Sequence, residues 1–142
     1  MVEAAAEASV VDGNPSAARY AFYQEGYSMG KLIKNIEYSK VLPLSEQVEY
    51  LKGQIVSKTL AQNDNHSLTL FAFDKGEEIS THESSGDAFV LALDGAARIS
   101  IAGEKYSLRT GEAIVMPANV PHSVYAEEQF KMLLTVFFAK NE

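Results

Sequence analysis

The stretch Gly111-Glu112-Ala113-Ile114-Val115-Met116-Pro117-Ala118-Asn119-Val120-Pro121-His122 decides the fold. It passes from a turn glycine through a short apolar run into a proline-flanked turn and ends on a histidine. Gly76-Glu77-Glu78-Ile79-Ser80-Thr81-His82 has the same outline: a glycine, a short extended run, a histidine. Short apolar segments bounded by turn residues fill the space between the two.

Working outward, Gln54 to Ala61 alternates between two faces and reads as a strand, and Ser67 to Phe73 reads as another. Ala88 to Leu93 is more continuously apolar, which predicts a strand covered on both faces. Asp94-Gly95 predicts a hairpin, because a two-residue turn of the right twist needs positive φ. Arg98, Ser100 and Ala102 alternate with Ile99 and Ile101, and Lys105 to Arg109, Ala113 to Met116 and Phe130 to Phe138 complete the set, with Gly103-Glu104 and Thr110-Gly111 as turns. Pro43-Leu44-Ser45-Glu46-Gln47 predicts a turn or a single helical turn. Closely spaced short strands with no long helical pattern argue for an all-β sandwich or closed barrel and against a parallel α/β sheet.

The domain expected is residues 31–142. Residues 1–30 form an N-terminal extension, rich in Ala and Glu at first. Asn14-Pro15 predicts a helix start and Gly26 its end, so the extension is expected to be either flexible or partly helical. Its aromatic cluster, Tyr20, Phe22, Tyr23 and Tyr27, would suit packing on the barrel or on a second subunit, and a homodimer is expected.

Composition excludes several classes. With 142 residues the chain supports one cored domain. It has no cysteine, hence no disulfide, zinc-thiolate site or cysteine nucleophile. The balance of 12 basic and 19 acidic residues, net −7, disfavours a phosphate backbone as partner. No basic n-region followed by an apolar segment reads as a signal peptide, and no run approaches the roughly 18 apolar residues of a membrane helix. The expectation is a cytoplasmic protein that contacts neither nucleic acid nor membrane.

Over roughly residues 66–138 the two segments resemble the paired signature motifs of the cupin family. In the first motif Gly76, His82 and Gly95 match; the second histidine position falls on Ser84 and the glutamate position on Ala88. In the second motif Gly111, Pro117 and His122 match; Asn119 stands at a glycine position and Ala126 at the asparagine position. Asn is the best stand-in for Gly where left-handed backbone is required. The resemblance implies a small antiparallel β-barrel of the jelly-roll type, with His82 and His122 in one cavity. It also implies a divalent transition metal such as Zn, Fe, Mn, Ni or Cu. Of the family's ligands only His82 and His122 carry over; Asp87, or Glu83 if its loop curls inward, is the weaker third candidate, and a one-residue step along a strand changes the face. A mononuclear catalytic site ordinarily wants three protein ligands and an open position.

Ser84, two residues beyond His82, is expected on the same face. Met116 and Met132, with Phe71, Phe73, Phe89 and Phe137, are expected as barrel core or cavity lining. His66 is expected to be exposed. The pocket is therefore His82, Ser84, Met116 and His122, holding a small molecule. Three functions stay open: a binding module; a metal-dependent oxygenase or isomerase; a non-catalytic dimeric scaffold. The sequence is compatible with an enzyme or a non-enzyme and assigns no catalytic residue.

Overall fold

The computed structural model describes residues 31–139. The expected helix after Asn14 and the aromatic cluster at Tyr20–Tyr27 lie outside the described residues. The chain divides into two units between Val41 and Leu42. Of the first unit, residues 31–41 are described. There Tyr38 Oη donates to the Ile33 carbonyl at 2.9 Å and accepts the Ile33 N–H at 3.1 Å.

The second unit is built from strands. A single 3-10 turn, Leu44–Gln47, precedes β1 (Ile55–Gln62), β2 (His66–Phe73), β3 (Glu78–His82), β4 (Gly86–Asp94) and β5 (Ala96–Ile101). β6 (Glu104–Arg109), β7 (Ala113–Met116), β8 (His122–Ala126) and β9 (Phe130–Phe138) follow. They form a five-stranded sheet ordered β1-β2-β9-β4-β7 and a four-stranded sheet ordered β3-β8-β5-β6. Every pairing is antiparallel. The order β2-β9-β4-β7 against β3-β8-β5-β6 is that of a jelly roll, in which every connection from β2 to β9 except β5–β6 passes from one sheet to the other. Among the described residues no helix is long and apolar enough to cross a membrane.

The core sits between the sheets. Phe73, Phe130, Ile99, Met132, Val90 and Val124 are wholly or almost wholly buried there. Each such side chain contributes about 1.5–3 kcal/mol by leaving water. The Phe73 and Phe130 rings, centroids 5.8 Å apart and tilted by 58°, close one end of the core.

Four expectations are corrected. Asp94-Gly95 is not a hairpin: β4 belongs to the five-stranded sheet and β5 to the four-stranded one. Gly95 does have positive φ, at 74°, but it turns a corner between layers. Ala88 to Leu93 is not covered on both faces; β4 alternates, with Ala88, Val90 and Ala92 inward and Asp87 and Phe89 outward. Phe89 and Phe137 accordingly leave the expected core, at 42% and 59% exposure, because their strand parity turns them to the outer face. His66 opens β2 and is half-buried, its ring Nε2 3.3 Å from Asn63 Nδ2.

The outward face is closed at one end by the segment before β1. Lys131 Nζ donates to the Ser45 carbonyl at 2.6 Å and lies 4.7 Å from the Tyr50 ring centroid. Lys58 Nζ donates to the Gln47 carbonyl at 3.2 Å. Leu70 and Ala72, paired with Leu133 and Lys131, are fully buried on this side.

Candidate functional site

β3 and β8 are neighbours in the four-stranded sheet, and His82 lies directly opposite His122. The two imidazole centroids are 4.4 Å apart, with the rings inclined at 69° in an edge-on arrangement. The two rings belong to opposite environments. β3 is an edge strand and His82 is exposed; β8 is flanked by β3 and β5, and His122 keeps 4% of its surface.

Each ring is tied to its own backbone in the same way. His82 Nδ1 is 2.9 Å from the Ser80 carbonyl, and His122 Nδ1 is 3.1 Å from the Val120 carbonyl. A carbonyl oxygen only accepts, so in both rings Nδ1 must carry the hydrogen. In the neutral form the remaining nitrogen, Nε2, is then a bare lone pair on each ring. His122 is held neutral by its surroundings. Burial pushes its pKa below the ordinary imidazole value of 6.5; the Val120 carbonyl works against this and the neighbouring His82 adds to it.

The rings open onto a cavity of about 170 Å³. Ser84 and Met116 line it beside His82 and His122, so all four residues expected at the pocket share one space. Its depth is apolar: Phe71, Ile79, Val124, Met132, Leu134 and Val136. Sequence reading placed Phe71 and Met132 among the core or cavity residues but did not single out the other four. Strand parity could have found Leu134 and Val136, which share a face of β9 with Met132. Ile79 and Val124 needed the pairing of β3 with β8.

The loops that present the histidines are clamped together. Asn119 has φ of 61°, the left-handed conformation expected at that glycine position, and its N–H donates to the Ser84 carbonyl at 2.7 Å. The Ala118 N–H donates to Asp87 Oδ1 at 2.8 Å. Ser84 Oγ accepts the Gly86 N–H at 3.2 Å, which leaves its own hydrogen free to point elsewhere.

Asp87, the weaker third ligand, therefore stands apart from the rings. Ala88 faces the cavity, and Asp87 spends its carboxylate on the loop before His122. Glu83 does not line the cavity either. Among the described residues no three His, Cys, Asp or Glu side chains come together.

A cupin-domain family profile matches residues 69–138. The structure is similar to a cupin superfamily protein of Desulfitobacterium hafniense, with 33% identity and a TM-score of 0.73, covering 75% of this chain and 98% of that one. The chain belongs to the cupin superfamily. A conserved Streptococcus pyogenes protein of unknown function, SPY1581, is 46% identical at a TM-score of 0.75, over 77% of this chain and 96% of that one. A cupin 2 conserved-barrel protein of Leptotrichia buccalis is 45% identical at a TM-score of 0.65, over 66% of this chain and 45% of that one. No curated protein matches.

Cupins often hold a transition metal, and the donor set of this cupin can be tested against one. The four ligand positions are occupied by His82, Ser84, Ala88 and His122. Two imidazoles without a carboxylate fall short of the three protein ligands a mononuclear divalent site calls for. The residues present do not fit the family's divalent metal.

Proposed function

We propose that this cupin binds a small molecule with an apolar body and a hydrogen-bond-donating end. The single observation that carries the reading is the tautomer: both Nδ1 atoms are committed to carbonyls, so each cavity-lining imidazole keeps its Nε2 lone pair as an acceptor for a ligand. The rest of the wall supplies no second polar group beyond Ser84. A cavity of about 170 Å³ is close in size to the engineered apolar cavity of about 150 Å³ that takes benzene, so a single-ring body fits.

Phenol and anisole separate the parts of this claim. Both fill the cavity; only phenol can donate. Titration followed by side-chain NMR should show phenol binding more tightly by about 2–10-fold, the worth of one net hydrogen bond of about 0.5–1.5 kcal/mol. Equal affinity for the two, or no binding of either, defeats the reading.

The dimeric reading has separate support. Phe89 and Val115 are direct cross-strand neighbours on the outer face of the five-stranded sheet, at 42% and 50% exposure, and Phe137 is on that face too. Exposed aromatic and branched side chains side by side favour a partner over water. A second copy of this chain is the proposed partner. Sedimentation of the full chain beside a Phe89→Asp/Phe137→Asp variant tests it: a wild-type monomer, or a variant that stays dimeric, removes this face from consideration.

A further inference from the structure

We infer that β6 is a docking edge for an extended segment of another protein, one that carries acidic side chains on one face and apolar side chains on the other. The site is separate from the cavity: β6 ends the four-stranded sheet opposite β3, the strand that carries His82.

The backbone supplies the first observation. β5 and β6 are joined by Ala102-Gly103, with φ of 50° and 83°, and Ile101 stands directly opposite Glu104. In such a two-residue turn the flanking pair exchanges both its hydrogen bonds, and every second pair after it does the same. Glu104, Tyr106 and Leu108 therefore bond to β5, and Lys105, Ser107 and Arg109 turn their N–H and C=O groups to the open side. The Arg109 N–H bears this parity out: Glu112 Oε1 accepts it at 2.9 Å, from outside the ladder. Among the described residues β6 pairs with β5 alone, so the peptide groups of Lys105 and Ser107 are a template for a further strand.

The other sheet ends are blunted. β1 has a bulge between Thr59 and Ala61, β3 has its register slip between Ile79 and His82, and β7 has four residues. β6 has six, in unbroken register with β5. Bulged or short edges discourage a newcomer, and a regular one admits it.

Side chains select the occupant. Lys105, Ser107 and Arg109 share the outer face and are exposed, with the two cations about 13 Å apart along the strand and a hydroxyl between them. Among the described residues neither cation forms an ion pair. Arg98, also on this face, stacks on Tyr125 of β8 at 4.7 Å, away from the edge. The opposite parity exposes Tyr106 at 41%, its hydroxyl donating to Glu104 at 3.0 Å. An incoming strand thus meets cation, hydroxyl, cation on one face and an aromatic ring on the other. Opposed side chains lie about 4.5–5.5 Å apart, so the complement reads acid, apolar, hydroxyl, apolar, acid. A second copy of β6 is disfavoured: paired antiparallel about Ser107, it would set Lys105 against Arg109 twice. The chain's net charge of −7 does not bar an acidic guest, because charges beyond about 8 Å are screened at physiological salt.

The test is fluorescence anisotropy with the full-length protein. The probe is a capped, labelled peptide with the core glutamate, valine, threonine, valine, glutamate. Its isomer exchanges the last valine and glutamate, which moves one carboxylate to the other face. The first peptide is expected to bind at least about 5-fold more tightly than the isomer, the worth of one cross-strand charge pair. Ser107→Pro removes an outward N–H without touching the ladder to β5, and should weaken binding by more than about 10-fold. Lys105→Glu/Arg109→Glu should lose the glutamate peptide and take up its lysine counterpart, which keeps the test valid even where the proline variant unfolds. No binding of the glutamate peptide overturns the inference, as does equal binding of the two isomers. Undiminished binding by a folded Ser107→Pro protein overturns it too, and so does tighter binding of an oligothymidylate of equal charge.

Discussion

Gly95 and Gly111 are both motif glycines with positive φ, 74° and 87°, yet the structure assigns them different reasons for being glycine. A Cβ on Gly111 would meet nothing within 4 Å. Gly111→Ala therefore costs only the left-handed backbone, about 1–2 kcal/mol, less the roughly 0.4–1 kcal/mol gained by restricting the unfolded chain. The net loss is about 1 kcal/mol. A Cβ on Gly95 would lie 1.7 Å from the Gln129 carbonyl oxygen and 3.3 Å from Phe130 Cα, where ordinary contact begins at 3.4 Å. The clash is with backbone, so no side-chain rotation relieves it. Gln129 precedes Phe130, which is fully buried against Phe73, so moving that carbonyl disturbs the core. Gly95→Ala should cost more than about 4 kcal/mol, which belongs to the exceptional class of substitutions and rivals the entire stability of a small domain. Urea denaturation of the two variants beside the wild type is the assay. If Gly95→Ala and Gly111→Ala lose the same stability, the corner between the sheets is not set by close approach of two backbones, and the reasoning fails.

Acidification should destabilise the protein through His122. Its folded pKa is depressed, so the unfolded chain takes up a proton first as pH falls; stability is full above about 6.5 and is lost as pH drops toward the lower folded value. The slope attributable to this group reaches at most about 1.4 kcal/mol per pH unit, and His122→Leu should flatten it in urea titrations run between about pH 7.5 and pH 5. An unchanged slope in the variant would assign the acid sensitivity elsewhere. Asp87→Ala should lower stability by about 1 kcal/mol through loss of the Ala118 hydrogen bond, while Asp87→Asn, which keeps an acceptor oxygen, should lose less. Equal losses for the two would show that the Ala118 bond is not what Asp87 provides.

Much of the architecture was readable from local signals. β7 and β9 have the limits expected from their apolar runs and bounding turns, and Asn119 adopts the left-handed backbone that its place at a glycine position implied. The convergence of His82 and His122 came from the resemblance of their two segments to the cupin motifs, not from any local signal. What local signals could not carry was the layer to which each strand belongs. Asp94-Gly95 has the chemistry of a hairpin, but whether strands after such a turn pair or part depends on neighbours distant in sequence. β4 looked doubly covered for the same reason: Phe89 is as apolar as Val90, and only the sheet's outer surface tells them apart. β8 was not read as a strand at all, since His122-Ser123-Val124-Tyr125-Ala126 mixes polar and apolar residues on both parities. The depth of the cavity followed from that omission, because Val124 and Ile79 meet only once β8 is paired with β3.

The strand order gives the two histidines unequal mechanical footing. β8 is stitched on both flanks, whereas β3 is stitched only on one, with a register slip between Ile79 and His82. Peeling the rim strand would carry His82 outward and leave His122 seated, like a jaw with a single moving side. On the proposed reading, the wall that holds the buried ring is the fixed side of the cavity, and the rim strand beside it is the more lightly fastened one.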